Sequence, residues 1–165
     1  MPTSPNTISR TTSKRRGSWP RLTLNMQFAV SRRGLPSAKS FRRWAQAALL
    51  ENVDVTIRLV GWAEGLALNA TYRSRDKPTN VLTFVYSETR PLSGDIVLCI
   101  PVVKKEARAQ DKTLEAHLAH LTVHGMLHLQ GLDHGTRHDA ELMEGLEAEI
   151  ISKLGYADPY AETSA

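Results

Sequence analysis

Four histidines lie within a short stretch of the chain that the sequence predicts to be one helix. His117, His120, His124 and His128 are 3, 4 and 4 residues apart, and at about 3.6 residues per turn this spacing places them along one stripe of the helix surface. His124 and His128 are one turn apart, about 6 Å along the axis. Two imidazoles so placed can bind one ion that lies about 2 Å from each nitrogen.

A third imidazole follows a predicted turn. Gly131 comes directly after this helix, where a residue with positive φ commonly ends a helix and reverses the chain. His134 can then supply a third nitrogen, which gives the pattern H-x-x-x-H-x-x-G-x-x-H. Three protein ligands with an open fourth position are typical of a catalytic zinc site. We therefore predict that His124, His128 and His134 bind one Zn²⁺ per chain.

The neighbouring polar residues have more than one role open to them. His117 and His120 are candidates for the substrate groove, although they could also support the metal ligands or simply decorate the helix. Asp133 could orient a liganding histidine or act as a cap after the turn. Cys99 is a candidate fourth ligand, but it lies in a predicted central strand, where a lone cysteine is more typical of a core.

The histidine spacing is also that of metzincin proteases, so a zinc metalloprotease is an alternative function. In those enzymes the residue after the first histidine is Glu, the general base. Gly125 occupies that position here and has no side chain that could accept a proton. A further alternative is a ribosome-associated binding module in which the metal is structural; metal removal should unfold such a domain.

Two segments resemble the signatures of a known family, the YbeY endoribonucleases. Residues 115–134 read EAHLAHLTVHGMLHLQGLDH and are similar to the histidine signature of that family. Its second block, LNxxYRxxDKPTNVLSF, is similar to residues 68–84, with Thr83 where Ser is common. The GDI segment of the family matches Gly94, Asp95 and Ile96. The resemblance covers about residues 22–156. The matching residues of the second block are Leu68, Asn69, Tyr72, Arg73, Asp76, Lys77, Pro78, Thr79, Asn80, Val81, Leu82, Thr83 and Phe84.

This resemblance implies a single-strand-specific, metal-dependent endoribonuclease. Such an enzyme acts in maturation of the 3′ end of 16S rRNA and in ribosome quality control, so single-stranded RNA, especially rRNA, and the small ribosomal subunit are the implied partners. The resemblance also implies that the three histidines bind zinc and that Arg73 is important for activity. That role is physically reasonable, because a guanidinium can donate two hydrogen bonds to phosphoryl oxygens on which charge develops.

The elements that must position these residues can be predicted from periodicity. Residues 22–30 and 53–59 alternate apolar and polar side chains, as expected of half-buried strands, and residues 81–85 and 95–100 are further β-rich runs. Helices are predicted around Phe41 and Trp44, around Leu66 and Leu68, over 113–130 and over about 139–154. We expect an α+β fold (α/β, two layers) in which four to five helices cover a small mixed four-stranded sheet.

Composition and charge limit the remaining possibilities. The 165 residues suit one domain, which we place at residues 21–156, between a disordered basic tail (1–20) and a C-terminal tail (157–165). Residues 1–50 carry ten Lys or Arg and no acid, whereas 51–165 carry eleven against seventeen, so the basic first third can attract phosphates or simply be solvated. No apolar run approaches the roughly 18 residues of a membrane span. The single cysteine precludes an internal disulfide and favours a cytoplasmic location.

Overall fold

A four-stranded mixed sheet forms the centre of the described structure. The computed structural model describes residues 19–73 and 79–161, without the side chain of Arg73. Its strands are β1 (Leu22–Phe28), β2 (Val53–Val60), β3 (Val81–Ser87) and β4 (Leu92–Cys99). They lie in the order β1-β2-β4-β3, with β1, β2 and β4 parallel to one another and β3 antiparallel to β4. The expected tail at residues 1–20 lies almost entirely outside the described residues.

Helices connect and cover these strands. Within the described ranges they are α1 (Ala38–Ala47), α2 (Trp62–Arg73), α3 (Ile100–Ala109), α4 (Leu114–Leu129) and α5 (Arg137–Lys153). The predicted fold class, a small mixed four-stranded sheet with four to five helices, is confirmed. None of these helices is both long enough and apolar enough to span a lipid bilayer.

Burial along the strands follows their position in the sheet. The edge strand β1 alternates between half-buried and exposed residues, as the alternating sequence predicts. The inner strand β4 is buried on both faces. Ile96 and Leu98 belong to the main core with α1 and α4, whereas Val97 and Cys99 belong to a smaller cluster that Leu68 of α2 joins. Successive residues of β4 therefore serve two different apolar layers.

The boundaries of β4 differ from the sequence-based expectation. The local propensities of Ser93 and Gly94 predict that they bound the strand, yet they pair with Asp54 and Val55 of β2. Ile100, which the β-rich run includes in the strand, is the first residue of α3, a helix that periodicity does not identify separately. Pro101 lies in the first turn of that helix, where its missing N–H costs no hydrogen bond. Sheet pairing and helix initiation thus override the local propensities.

Position 94 of β4 has room only for glycine, because two neighbours approach its backbone closely. A Cβ atom at this position would lie 2.2 Å from the carbonyl oxygen of Phe84 in β3 and 2.7 Å from Cδ1 of Leu129 in α4. No side chain fits there without movement of the backbone. Glycine at this position therefore allows both β3 and the end of α4 to pack against β4.

The helix α4 carries the histidine stripe and is anchored at both ends. Thr113 caps its first turn by accepting a hydrogen bond from the N–H of Ala116 at 3.1 Å. At its C-terminal end Gly131 has φ +103°, which confirms the predicted reversal. The N–H of Gly131 donates to the carbonyl of His128, and that of Leu132 donates to the carbonyl of Leu127. The chain after α4 therefore turns back at a defined position.

Candidate metal centre

Three imidazoles meet at the C-terminal end of α4. The rings of His124 and His128 are stacked, with centroids 6.5 Å apart and planes within 5° of parallel. The ring of His134, which lies beyond the turn at Gly131, is 5.8 Å from that of His124 and 6.0 Å from that of His128. The fold thus gathers the three residues that the sequence proposes as ligands. Their role as ligands stays a prediction.

Hydrogen bonds at Nδ1 determine which nitrogen of each α4 histidine can face an ion. Nδ1 of His128 donates to the carbonyl oxygen of Leu132 at 3.1 Å, and a carbonyl can only accept. Nδ1 of His124 contacts a carboxylate oxygen of Glu147, an acceptor when it is ionised. Both contacts place the proton on Nδ1, which leaves the lone pair of Nε2 for a metal. This arrangement and the nitrogen donors suit zinc.

Asp133 adds an oxygen donor beside two of the histidines. One ligand atom from each of His128, Asp133 and His134 can be chosen so that all three lie within 4.8 Å of one another. A carboxylate oxygen of Asp133 also accepts a hydrogen bond from the backbone N–H of His134 at 2.7 Å. The sequence suggests this residue only as a supporting group or a cap. Its carboxylate is available to the same candidate site as the imidazoles.

Glu147 is a residue of the site that sequence reasoning missed. It lies on α5 and is completely buried, yet its carboxylate contacts His124, the hydroxyl of Tyr160 and, at 3.5 Å, Nε2 of His120. Burial raises the pKa of Glu147, but the hydrogen bonds from these three groups outweigh it and hold the pKa at about 2. The available signal was a glutamate on the predicted apolar face of α5, between Met143 and Ile150.

The two remaining histidines of the stripe make contacts inside the protein. Nε2 of His120 lies 3.2 Å from the hydroxyl of Tyr160. His117 is only 3% exposed, and its Nε2 lies 3.3 Å from Glu106. Burial lowers the pKa of His117, while the hydrogen bond to Glu106 partly opposes that shift. Glu106 also accepts a hydrogen bond from the amide of Asn80 at 3.3 Å. The assignment of His117 and His120 to a substrate groove stays a prediction.

An open groove of about 400 Å³ adjoins the histidines on the side of His128. Its walls include Val85 of β3 and Leu92 of β4, and it extends along the turn after α4 to Asp133. Glu51 and Glu88 lie along the same groove. A ligand in this groove would therefore contact one candidate metal ligand and an acidic rim.

Three further residues from the sequence analysis can be placed. Gly125 is buried, and a Cβ atom there would lie 3.0 to 3.3 Å from the side chain of Ile96, so this position faces the sheet. The thiol of Cys99 donates to the carbonyl of Gly61 at 3.7 Å, and burial raises its pKa; it is not part of the histidine group. Arg73 is the last residue of α2, and its side chain lies outside the described atoms.

Comparison with known proteins agrees with this architecture. The family model described as Endoribonuclease YbeY matches residues 33–155. A protein named Endoribonuclease YbeY from Aromatoleum aromaticum is 55% identical over 144 residues, which cover 86% of this chain and 94% of that protein. Its namesake from Nitrosomonas eutropha is 53% identical over 137 residues, with coverage of 83% and 97%.

A solved structure shows a similar fold. The solution structure of a Thermotoga maritima protein is 24% identical, covers 85% of this chain and 100% of its own, and aligns with a TM-score of 0.54. At that identity the likeness concerns the fold alone. The family match extends across α4, the Gly131 turn and α5. The chain therefore belongs to the Endoribonuclease YbeY family.

Proposed function

We propose that this protein is a zinc-dependent endoribonuclease that cleaves single-stranded RNA. Its biological role in this proposal is maturation of the 3′ end of 16S rRNA together with ribosome quality control, in the cytoplasm and in contact with the small ribosomal subunit. RNA cleavage follows from the name of the family and of its relatives. The choice of zinc follows from the donor atoms of the site.

The observation that carries the proposal is the triangle of imidazoles with its Nδ1 partners. His124 and His128 are each oriented by a hydrogen bond at Nδ1, which is the usual arrangement of histidines that bind a metal through Nε2. The side chain of His134 is 60% exposed and that of His124 is 26% exposed. Solvent and substrate can therefore reach the site, as catalysis requires and a closed structural site does not.

The residues of the chain have distinct roles in the proposed reaction. Zinc, when bound, supplies a Lewis acid that stabilises negative charge on the scissile phosphate. Arg73 binds the same phosphate through two hydrogen bonds from its guanidinium. Asp133 accepts a hydrogen bond from the backbone N–H of His134 and so orders the segment that carries this imidazole. The proposed site thus combines the metal ion with the guanidinium of Arg73, and both stabilise the negative charge that the phosphate gains in the transition state.

The position of Gly125 weighs against the protease alternative. A metzincin needs a glutamate that reaches the catalytic water from this position. Here the position is buried against Ile96, so even a longer side chain would meet the sheet. Exposure of His134 weighs against the alternative of a purely structural metal.

An RNase assay on a single-stranded rRNA fragment tests this function. We expect cleavage by the purified protein, loss of cleavage after metal stripping, and recovery when zinc is returned. His124→Ala should be inactive, whereas His138→Ala, a control at an exposed histidine on α5, should cleave normally. Undiminished cleavage by the stripped protein or by His124→Ala would contradict the proposal.

Elemental analysis tests the metal separately. We expect about one zinc per chain, since three neutral imidazoles suit this ion. His128→Ala should lose tightly bound zinc. Full occupancy in that variant would show that the three histidines are not the ligand set.

A further inference from the structure

We propose that Glu147 and Tyr160 are positioning residues for His124. In this inference, which rests on the proposed metal site, the segment after α5 holds a buried carboxylate against the Nδ1 of a metal ligand. His120 belongs to the same hydrogen-bonded unit. The unit joins α4, α5 and the C-terminal segment at one point beside the candidate metal centre.

The carboxylate of Glu147 lies in an apolar environment, where a charged group needs several hydrogen-bond donors around it. It is completely buried on the face of α5 that packs on α4 through apolar residues such as Met143 and Ile150. A buried carboxylate is strongly destabilising unless hydrogen-bond donors surround it. Its two oxygens have such donors: one contacts Nδ1 of His124 and the other contacts the hydroxyl of Tyr160.

The donors and acceptors of this unit can be assigned consistently. The hydroxyl of Tyr160 has one hydrogen, which it donates to Glu147. Its oxygen then accepts from Nε2–H of His120 at 3.2 Å. His124 donates from Nδ1 to the other carboxylate oxygen. The tautomer of His124 is thereby fixed with its lone pair on Nε2, the state that binds a metal.

Local structure brings Tyr160 to this position. Gly155, with φ +93°, ends α5, and Asp158 forms a turn in which its side chain accepts a hydrogen bond from the N–H of Tyr160 at 2.8 Å. The ring of Tyr160 then meets that of His120 edge-on at 5.4 Å. A segment that the sequence assigns to a tail therefore supports the site.

The test compares the zinc affinity of two variants with that of matched controls. Glu147→Gln keeps the shape of the side chain but removes the charge, and Tyr160→Phe removes only the hydroxyl. Tyr156→Phe removes a hydroxyl of the same segment that contacts Glu115 and Trp44 instead. Glu149→Gln removes an exposed carboxylate of α5 that pairs with Lys153. Zinc dissociation constants are measured by competition with a chromophoric chelator.

We expect Glu147→Gln to weaken zinc binding by about 10 to 100-fold, as the loss of such a supporting partner commonly does. Tyr160→Phe should weaken it in the same direction by a smaller factor, while both controls keep the wild-type constant. Dissociation constants for Glu147→Gln and Tyr160→Phe equal to those of their controls would overturn the inference. If Glu147→Gln does not fold, Tyr160→Phe decides, because Tyr160 is 40% exposed and its substitution leaves the core intact.

A second readout separates positioning from simple stabilisation. Nitrogen-15 NMR of the histidine rings in the metal-free protein should show His124 as a single tautomer protonated at Nδ1. Glu147→Gln should convert it to a mixture, because an amide can either accept from Nδ1 or donate to it. A purely structural role would lower the melting temperature and leave both tautomer and zinc affinity unchanged, which contradicts the inference. Failure of the wild-type protein to bind zinc would contradict the proposed function, while the tautomer of His124 would still test the positioning role.

Discussion

At the scale of single side chains, the partner of each histidine determines what its ring can do. His124 and His128 use Nδ1 for hydrogen bonds within the protein, so their other nitrogens are suited to an ion. His117 has the same residue type and lies on the same helix, but it is buried beside Glu106. Residue type and spacing are therefore similar along the stripe, whereas chemistry differs from one histidine to the next.

The first prediction at the scale of side chains concerns the role of Arg73 in RNA cleavage. Arg73→Ala should lower RNA cleavage strongly and leave zinc content unchanged, because the guanidinium is assigned to the phosphate and not to the ion. Arg73→Lys should restore activity only in part, since an ammonium cannot reproduce a planar two-point contact. Turnover on single-stranded RNA is measured together with zinc content. Wild-type rates in Arg73→Ala would remove this residue from the site, and lost zinc would mean that its role is structural.

The buried imidazole of His117 leads to a prediction about how the stability of the protein depends on pH. Burial lowers its pKa in the folded protein, whereas the unfolded chain has an ordinary histidine pKa of about 6.5. The unfolded state therefore binds more protons below that pH, and the free energy of unfolding falls as the pH is lowered. One such group cannot change the free energy of unfolding by more than about 1.4 kcal/mol per pH unit.

Urea unfolding between pH 7.5 and 5.5 measures this effect. Stability should fall toward the acidic end in the wild type, and His117→Gln should show a shallower decline. The exposed histidine variant His138→Ala serves as the control and should retain the wild-type slope. Equal slopes for His117→Gln and wild type would contradict the assigned shift.

At the scale of elements, the distance between α4 and the sheet depends on residues without side chains. Gly125 of α4 lies against Ile96 of β4, and Gly94 of β4 lies beside the backbone of Phe84 in β3 and against Leu129 of α4. A helix that packs this closely against a sheet holds its histidine stripe at a fixed distance from that sheet. The glycines thus contribute to the site without touching it.

Gly94→Ala tests this packing. The added Cβ would overlap with the carbonyl of Phe84, so we expect a loss of about 1 to 3 kcal/mol in the free energy of unfolding. Gly145→Ala is the matched control, because a Cβ atom added there on α5 would have no neighbour within 4 Å among the described residues. That exchange should be neutral or should stabilise by up to about 1 kcal/mol. Equal urea midpoints for the two variants would show that β4 tolerates a side chain at Gly94.

At the scale of the whole molecule, the core and the candidate site occupy different parts of the fold. The main core joins residues of α1, β2, β4, α4 and α5, such as Trp44, Ile57, Ile96 and Leu127. The three imidazoles lie at one end of α4, with His134 largely exposed. Burial of apolar surface, which is the dominant favourable contribution to folding, does not depend on an ion at that place.

Metal removal tests the separation of core and site. After chelation we expect a nearly unchanged circular dichroism spectrum and a cooperative thermal transition. Its melting temperature should fall only as far as the lost free energy of metal binding accounts for. RNA cleavage should be lost under the same conditions and should return with zinc. Unfolding on chelation would instead indicate a structural metal and the binding-module alternative.

The sequence by itself determined the features that depend on near neighbours in the chain. Alternation predicted β1 and β2, the spacing of His124 and His128 predicted a shared helix face, and Gly131 predicted the reversal that leads to His134. Each of these depends on backbone periodicity or on the φ of one residue, and both are local properties. The fold class and the candidate ligand set could therefore be predicted before any tertiary contact was known.

Only the tertiary structure decided which distant residues support that site. Glu147 lies 23 residues from His124 along the chain, and Tyr160 reaches Glu147 only because α5 packs on α4 and the chain turns after Gly155. Likewise β4 begins at Leu92 and α3 begins at Ile100 because strand pairing and close packing override local propensity at Ser93, Gly94 and Ile100. Contacts between separate elements depend on how those elements pack, and local periodicity does not encode that packing.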